Sequence, residues 1–265
     1  MNFYRFNTIF LTGVIILGGI LAWNFESPMD ILSTDQILTL QDPEMAPKDI
    51  APLVMQGFHI LEETQKYVPQ YAGDRITCSN CHFACGNTFG QAGDGISLVG
   101  VPQIYPKTLA DDSILTLPQR INNCFEKSMN GKPLPEDSIE MEAIITYLEW
   151  ISSGVAKAEK FPWLGLTKLR SKHEPDPRNG ATVYLKNCAS CHGKNGEGQK
   201  RDYKLSYPPV WGEHSFNNEA GLNRLEEISS FIYFNMPYEE PLLTVEDALD
   251  VGAFIISKPR PQRKK

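Results

Sequence analysis

Two pentapeptides, Cys78-Ser-Asn-Cys81-His82 and Cys188-Ala-Ser-Cys191-His192, constrain this 265-residue chain more than any other feature. Two thiols three positions apart with a histidine next in line form the attachment pattern of a c-type haem. Both sulfurs become thioethers to the porphyrin, and the adjacent histidine reaches the iron from one side. The competing uses of C-x-x-C are a zinc site and a redox dithiol. Neither calls for histidine in the next position twice over, and the remaining cysteines, Cys85 and Cys124, form no further pair. The chain is therefore read as binding two haems covalently, through Cys78 and Cys81 and through Cys188 and Cys191. His82 and His192 are the proximal iron ligands.

Around these motifs the apolar residues recur at helical spacing. Pro52 opens a run with Leu53, Val54, Phe58 and Leu61, and a second helix is expected from about Pro118 to Met129, with Gly131 just past its end. A third starts near Asp137 and places Ile144, Ile145, Leu148 and Ile151 on one side. Helical stretches follow at GATVYLKNC and LEEISSFIYFNMP, and Thr244 with Asp247 begins the last. No segment alternates with period two over any length. The expected fold is all-α, two tandem cytochrome c class I domains with one haem each.

The expected layout is 1–23 as a signal or anchor segment, 24–49 as an acidic linker, 50–156 and 179–258 as the domains, 157–178 between them, and 259–265 as a basic tail. The apolar run Ile9–Trp23 follows Arg5, is close to the roughly 20 residues of a membrane span, and precedes no A-x-A cleavage triplet. That favours an uncleaved anchor with the body exported to the bacterial periplasm; a cleaved signal peptide is the alternative. A net charge of -7 argues against nucleic acid as a partner.

Each iron also needs a distal ligand. Met236, in Asn-Met-Pro and 44 residues after His192, is the candidate in the second half. In the first half Cys124 lies 42 residues after His82 and Met129 lies 47 after it, and spacing leaves both open. Arg120, Cys124 and Ser128 are four apart and share a helix face. A guanidinium beside an axial ligand is of no use to a plain electron carrier, whereas it suits a small oxyanion. The alternative is that Arg120 and Ser128 are solvated surface residues. A Cys85–Cys124 disulfide is disfavoured, because Cys85 follows His82 on the proximal side while Cys124 would stand across the porphyrin. His59, His173 and His214 are given no role, and Tyr207 and Trp211 are expected to pack on the second haem.

The segments SNCHFACGN, GISLVGVPQIYPK, RINNCFEKSMNGKPLP, CASCHG, YPPVWGEHSFNNEAG and NMP together resemble the dihaem cytochrome c thiosulfate dehydrogenases. The resemblance covers about Pro52 to Pro261. It implies that the first haem is catalytic with a His82/Cys124 axial pair, and that Arg120 and Ser128 belong to the active site. The second haem would be held by Met236 and pass electrons out. It implies oxidation of thiosulfate to tetrathionate, or the reverse, with electrons leaving to an external acceptor such as another cytochrome c or a membrane oxidase. The competing function is a non-enzymatic dihaem electron-transfer cytochrome. Two positions depart from the pattern: Ala110-Asp111-Asp112 stands where relatives place a basic residue, Lys107 being the nearest cation, and Asn235 stands where some carry lysine beside the second methionine.

Overall fold

The computed structural model describes residues 38–263, apart from Asp74, Gln91 and 201–205. The proposed N-terminal anchor lies outside the described residues. Within them, no helix is long and apolar enough to cross a membrane.

Two helical units repeat one plan. In the first, α1 (Ala51–Glu62) and the short α2 (Thr64–Tyr67) lead to Cys78, and α3 (Leu117–Asn123) runs into the segment carrying Cys124. The closing helix α4 (Ile139–Ile151) packs back on α1. In the second, α5 (Pro177–Asn187) leads straight into the motif, whose residues Ala189–His192 form the single turn α6. There α7 (Leu225–Asn235) ends at Met236, and α8 (Val245–Ile256) closes on α5.

Each crossing depends on a glycine. A Cβ on Gly57 of α1 would strike the Ala143 carbonyl and Tyr147 of α4, and a Cβ on Gly180 of α5 would strike the Asp250 carbonyl of α8. The helices meet backbone to backbone at these points, and larger side chains fill the space on either side. Val54, Met141, Tyr147 and Ile151 are fully buried at the first crossing, as are Tyr184 and Val251 at the second, with Val183 nearly so.

The capping chemistry explains where the helices begin. Thr116 Oγ1 accepts the Gln119 N–H while Gln119 Oε1 accepts the Thr116 N–H, so α3 starts one residue before Pro118. Ser138, rather than Asp137, caps α4. Two antiparallel ladders of two residues each also form: β1 (Lys107–Thr108) with β2 (Ile114–Leu115), and β3 (Gln199–Lys200) with β4 (Ser206–Tyr207). They are too short to leave an alternating pattern in the sequence.

The segments between and around the units are packed. Asn87 Nδ2 and Trp150 Nε1 donate to the carbonyls of Gln41 and Asp42, which draws residues 38–49 along the first unit. Within 157–178, Trp163 is buried and donates to the Val99 carbonyl, and Ser230 Oγ donates to the Thr167 carbonyl. The His173 ring meets buried Asp250 at 2.6 Å, so this histidine ties the connection to α8. The C-terminal segment also folds back, with Arg263 bridging Glu126 of the first unit and Glu219 of the second.

The units touch directly. Gly93 N–H donates to the Phe234 carbonyl at 2.7 Å, and Gly95 N–H donates to Asn235 Oδ1 at 2.8 Å. Phe83, next to His82, packs edge-on against Phe231 and Tyr238.

Candidate functional site

Both motif histidines are fixed in the same way. His82 Nδ1 lies 2.8 Å from the Ile96 carbonyl, and His192 Nδ1 lies 2.8 Å from the Pro208 carbonyl. A carbonyl can only accept, so each ring carries its proton on Nδ1 and keeps the Nε2 lone pair for a metal. Burial also holds His192 below its ordinary value, in the neutral form that ligation requires.

A cavity of about 1000 Å³ lies where the units meet. Cys188, Cys191, His192 and Met236 line it from the second unit, and Cys81, Phe83 and Ser128 from the first. Tyr207 lines it as expected. Trp211 does not. Its indole packs between Tyr184 and Phe254 in the α5–α8 core, over the close approach that Gly196 allows. Among the described residues no three His, Cys, Asp or Glu side chains converge as a metal cluster. Beyond the two motif cysteines that would form thioethers, each unit offers a histidine and one further sulfur, Cys124 or Met236, which is the donor pair a porphyrin iron needs. The residues present therefore fit haem.

The first unit places Cys124 and Met129 differently. Cys124 faces His82, and the Arg120 Nη1 donates to its sulfur at 2.8 Å. Burial alone would push the Cys124 thiol up; the Arg120 guanidinium and His82 outweigh it and bring the thiol down to about 7. Met129 is buried among apolar side chains of the core. Cys85 is also buried, its sulfur 3.9 Å from the Phe58 carbonyl on α1, and it forms no disulfide with Cys124.

Arg120 and Cys124 come together, though Arg120, Cys124 and Ser128 do not lie on a continuous α-helix. From Cys124 to Ser128 the backbone widens into a π turn, in which Met129 N–H donates to the Cys124 carbonyl at 3.0 Å. Such turns recur at functional sites. Ser128 reaches the cavity from it. Tyr105 has no role in the sequence reading, yet it lies close to the Arg120 guanidinium and, after Cys124, helps to keep it charged. Its place in the quoted GISLVGVPQIYPK segment was the available signal. Ala110 to Asp112 lie on the exposed turn between β1 and β2, and Lys107 is exposed on β1.

Comparison with known proteins identifies both units. The family model described as cytochrome c matches residues 177–258, and the model described as SoxA/TsdA, cytochrome c domain, matches residues 69–156. The thiosulfate dehydrogenase of Allochromatium vinosum is 31% identical over 92% of this chain and 89% of its own length. That of Thiomonas intermedia is 35% identical over 81% of this chain and 68% of its own length. The solved structure of thiosulfate dehydrogenase (TsdBA) from Marichromatium purpuratum superposes with a TM-score of 0.78 at 27% identity. The match covers 84% of this chain, which spans half of that longer one. With two cytochrome c domains, two covalently bound haems and relatives more than 30% identical over at least two thirds of their own length, this chain belongs to the dihaem thiosulfate dehydrogenase family.

Proposed function

We propose that this protein oxidises thiosulfate to tetrathionate at the first haem and passes the electrons through the second to an external acceptor. The observation that carries the proposal is the Arg120–Cys124 contact facing His82. It joins a nucleophilic sulfur to a guanidinium that can hold a sulfonate. The haems, when bound, supply the electron sink for a two-electron oxidation and the route out of the site.

The remaining steps belong to side chains. Arg120 and Ser128 bind sulfonate oxygens and offset the repulsion between two thiosulfate dianions. The Cys124 thiolate forms an S–S bond with the outer sulfur of one thiosulfate, and that step gives up two electrons. The outer sulfur of a second thiosulfate then attacks the same atom. The bond to Cys124 breaks, tetrathionate leaves, and the thiolate is regenerated. In the second unit His192 and Met236, which line the same cavity, would hold the haem iron. Tyr105 helps to keep the Arg120 guanidinium charged between turnovers.

We also place the protein in the bacterial periplasm, held at the inner membrane by residues 1–23, as the apolar run Ile9–Trp23 behind Arg5 supports. N-terminal sequencing of the membrane fraction checks this, and a chain that begins near Asn24 in the soluble fraction refutes it.

The deciding test of function is steady-state oxidation of thiosulfate with ferricyanide by the protein carrying both haems, and by Cys124→Ala. The variant is expected to lose turnover and the thiolate signature of the first haem, while the second stays reducible. Full activity in Cys124→Ala would remove Cys124 from the reaction, and no thiosulfate turnover by the unaltered protein would leave electron transfer without catalysis as the function.

A further inference from the structure

The π turn leaves the carbonyls of Glu126 and Lys127 without partners inside their own helix. In a continuing helix they would accept from the N–H groups of Asn130 and Gly131. Here Asn130 turns left-handed, with φ 52, and Gly131 N–H donates instead to the Phe125 carbonyl at 2.8 Å. Both carbonyls are taken by one residue of the second unit. Asn217 donates its backbone N–H to Lys127 O at 3.0 Å and its Nδ2 to Glu126 O at 2.8 Å. Asn217 is completely buried. Its Oδ1 accepts the Glu219 N–H at 3.0 Å, so the amide cannot be flipped, and the nitrogen must face the turn.

We propose that Asn217 is a positioning residue for the distal side of the first haem. The second domain completes the turn that carries Cys124 and Ser128, and so sets where those two side chains stand. This rests on the reading of Cys124 as the distal ligand. The neighbouring contacts converge on the same place. Arg263 holds Glu126 at 3.2 Å and Glu219 at 2.9 Å, so the turn and the loop that grips it are tied twice. Phe216, one residue before Asn217, lines the cavity with His192 and Met236. One loop therefore touches the surroundings of the second haem and the backbone beside the first.

The role is specific because a π turn depends on outside partners. Without Asn217 the two buried carbonyls would lose their donors, and the segment would relax towards an α-helix. Cys124 opens this segment and Ser128 closes it, so relaxation rotates one against the other.

The test is Asn217→Asp in the full protein with both haems. This change keeps the size and the acceptor for Glu219 but removes the donor to Glu126. We expect the low-spin thiolate EPR signal of the first haem to become heterogeneous and that haem's reduction potential to move. The second haem should keep its spectrum and potential. Turnover should fall roughly tenfold or more with KM within about twofold, as misplacement of a reacting group gives. Asn217→Ser, smaller and uncharged, replaces the Asp variant if that chain fails to retain two haems, and must show the same separation between the haems. Arg75→Gln, which removes another contact between the units at the Glu197 carbonyl, is the control and should leave both haems unchanged. Wild-type spectra, potentials and turnover in the Asn217 variants would overturn the proposal. So would equal changes at both haems, which is what general loosening of the interface produces. If Cys124→Ala leaves the first haem's signature intact, the ligand assignment fails, whatever Asn217 does.

Discussion

Replacing Arg120 with glutamine measures how strongly the guanidinium acts on Cys124. The two groups are 2.8 Å apart. An ordinary cysteine titrates near 9.0 and burial pushes it higher, yet Cys124 stands at about 7. Losing the largest opposing charge returns the free thiol to 9 or beyond, about two units, or roughly 2.7 kcal/mol at about 1.36 kcal/mol per unit. Arg120 is exposed over much of its surface, so water screens part of the attraction. Halving the figure leaves about 1.4 kcal/mol, a tenfold change in the ionisation constant of the thiol. This applies to Cys124 off the iron, the state in which it attacks thiosulfate. A depressed thiol is ionised above its pKa and loses the thiolate as pH falls through about 7. Arg120→Gln moves that limb to higher pH. Initial rates with ferricyanide across pH 6 to 9 should therefore show kcat/KM about fivefold below wild type at pH 7, with the deficit narrowing as pH rises. Loss of sulfonate binding adds a further deficit that does not vary with pH. A variant within about twofold of wild type at pH 7, with a superimposable profile, would refute the role given to Arg120.

Met129→Leu should leave both haem spectra and turnover intact and cost less than about 1.5 kcal/mol in chemical denaturation, because Met129 is core and leucine keeps its volume. Met236→Ala should alter only the second haem's spectrum, leaving the first reducible by thiosulfate while steady-state oxidation slows. Gly57→Ala should lower stability by about 1–3 kcal/mol, since its methyl meets the Ala143 carbonyl and Tyr147 with no room to move. The His173–Asp250 pair should give a pH-dependent term in thermal melting. His173 is raised above 6.5, so its contribution is complete below that value and is lost as pH climbs through the raised pKa. Asp250 is lowered below 3.8, so its part is complete above that value and is lost as acid protonates it. His173→Gln should flatten the alkaline side of the melting profile; an unchanged profile would show that the pair does not control it.

What the residues reveal in advance follows from how local each interaction is. The haem motifs are legible because two thioethers and a ligand need a fixed local spacing. Helices α1, α4 and α8 are legible because one face of each is apolar at helical period. The choice between Cys124 and Met129 was not legible from spacing, because five residues is less than the variation of a loop. It turns on which side chain faces His82. The π turn has no pattern of its own, since its i to i+5 bonds depend on Asn217, some ninety residues away in sequence. Arg263 reads in the sequence only as part of a basic tail because its partners, Glu126 and Glu219, are neighbours only after folding. Trp211 was misplaced for a similar reason: an aromatic near a haem motif packs equally well on porphyrin or on a helix pair, and the choice was made by Tyr184 and Phe254.

The bond between Gly95 N–H and Asn235 Oδ1 reaches further than its 2.8 Å. Gly95 precedes Ile96, whose carbonyl orients His82, and Asn235 precedes Met236. One buried hydrogen bond thus separates the backbone that aims His82 from the backbone that carries Met236. The two redox centres are built into a common frame, and their separation is set when the chain folds. Electrons crossing between them need not wait for two bodies to swing into contact. The internal transfer should therefore be indifferent to solvent viscosity, and any rate that slows in glycerol or sucrose belongs to the arrival of thiosulfate or the docking of the acceptor.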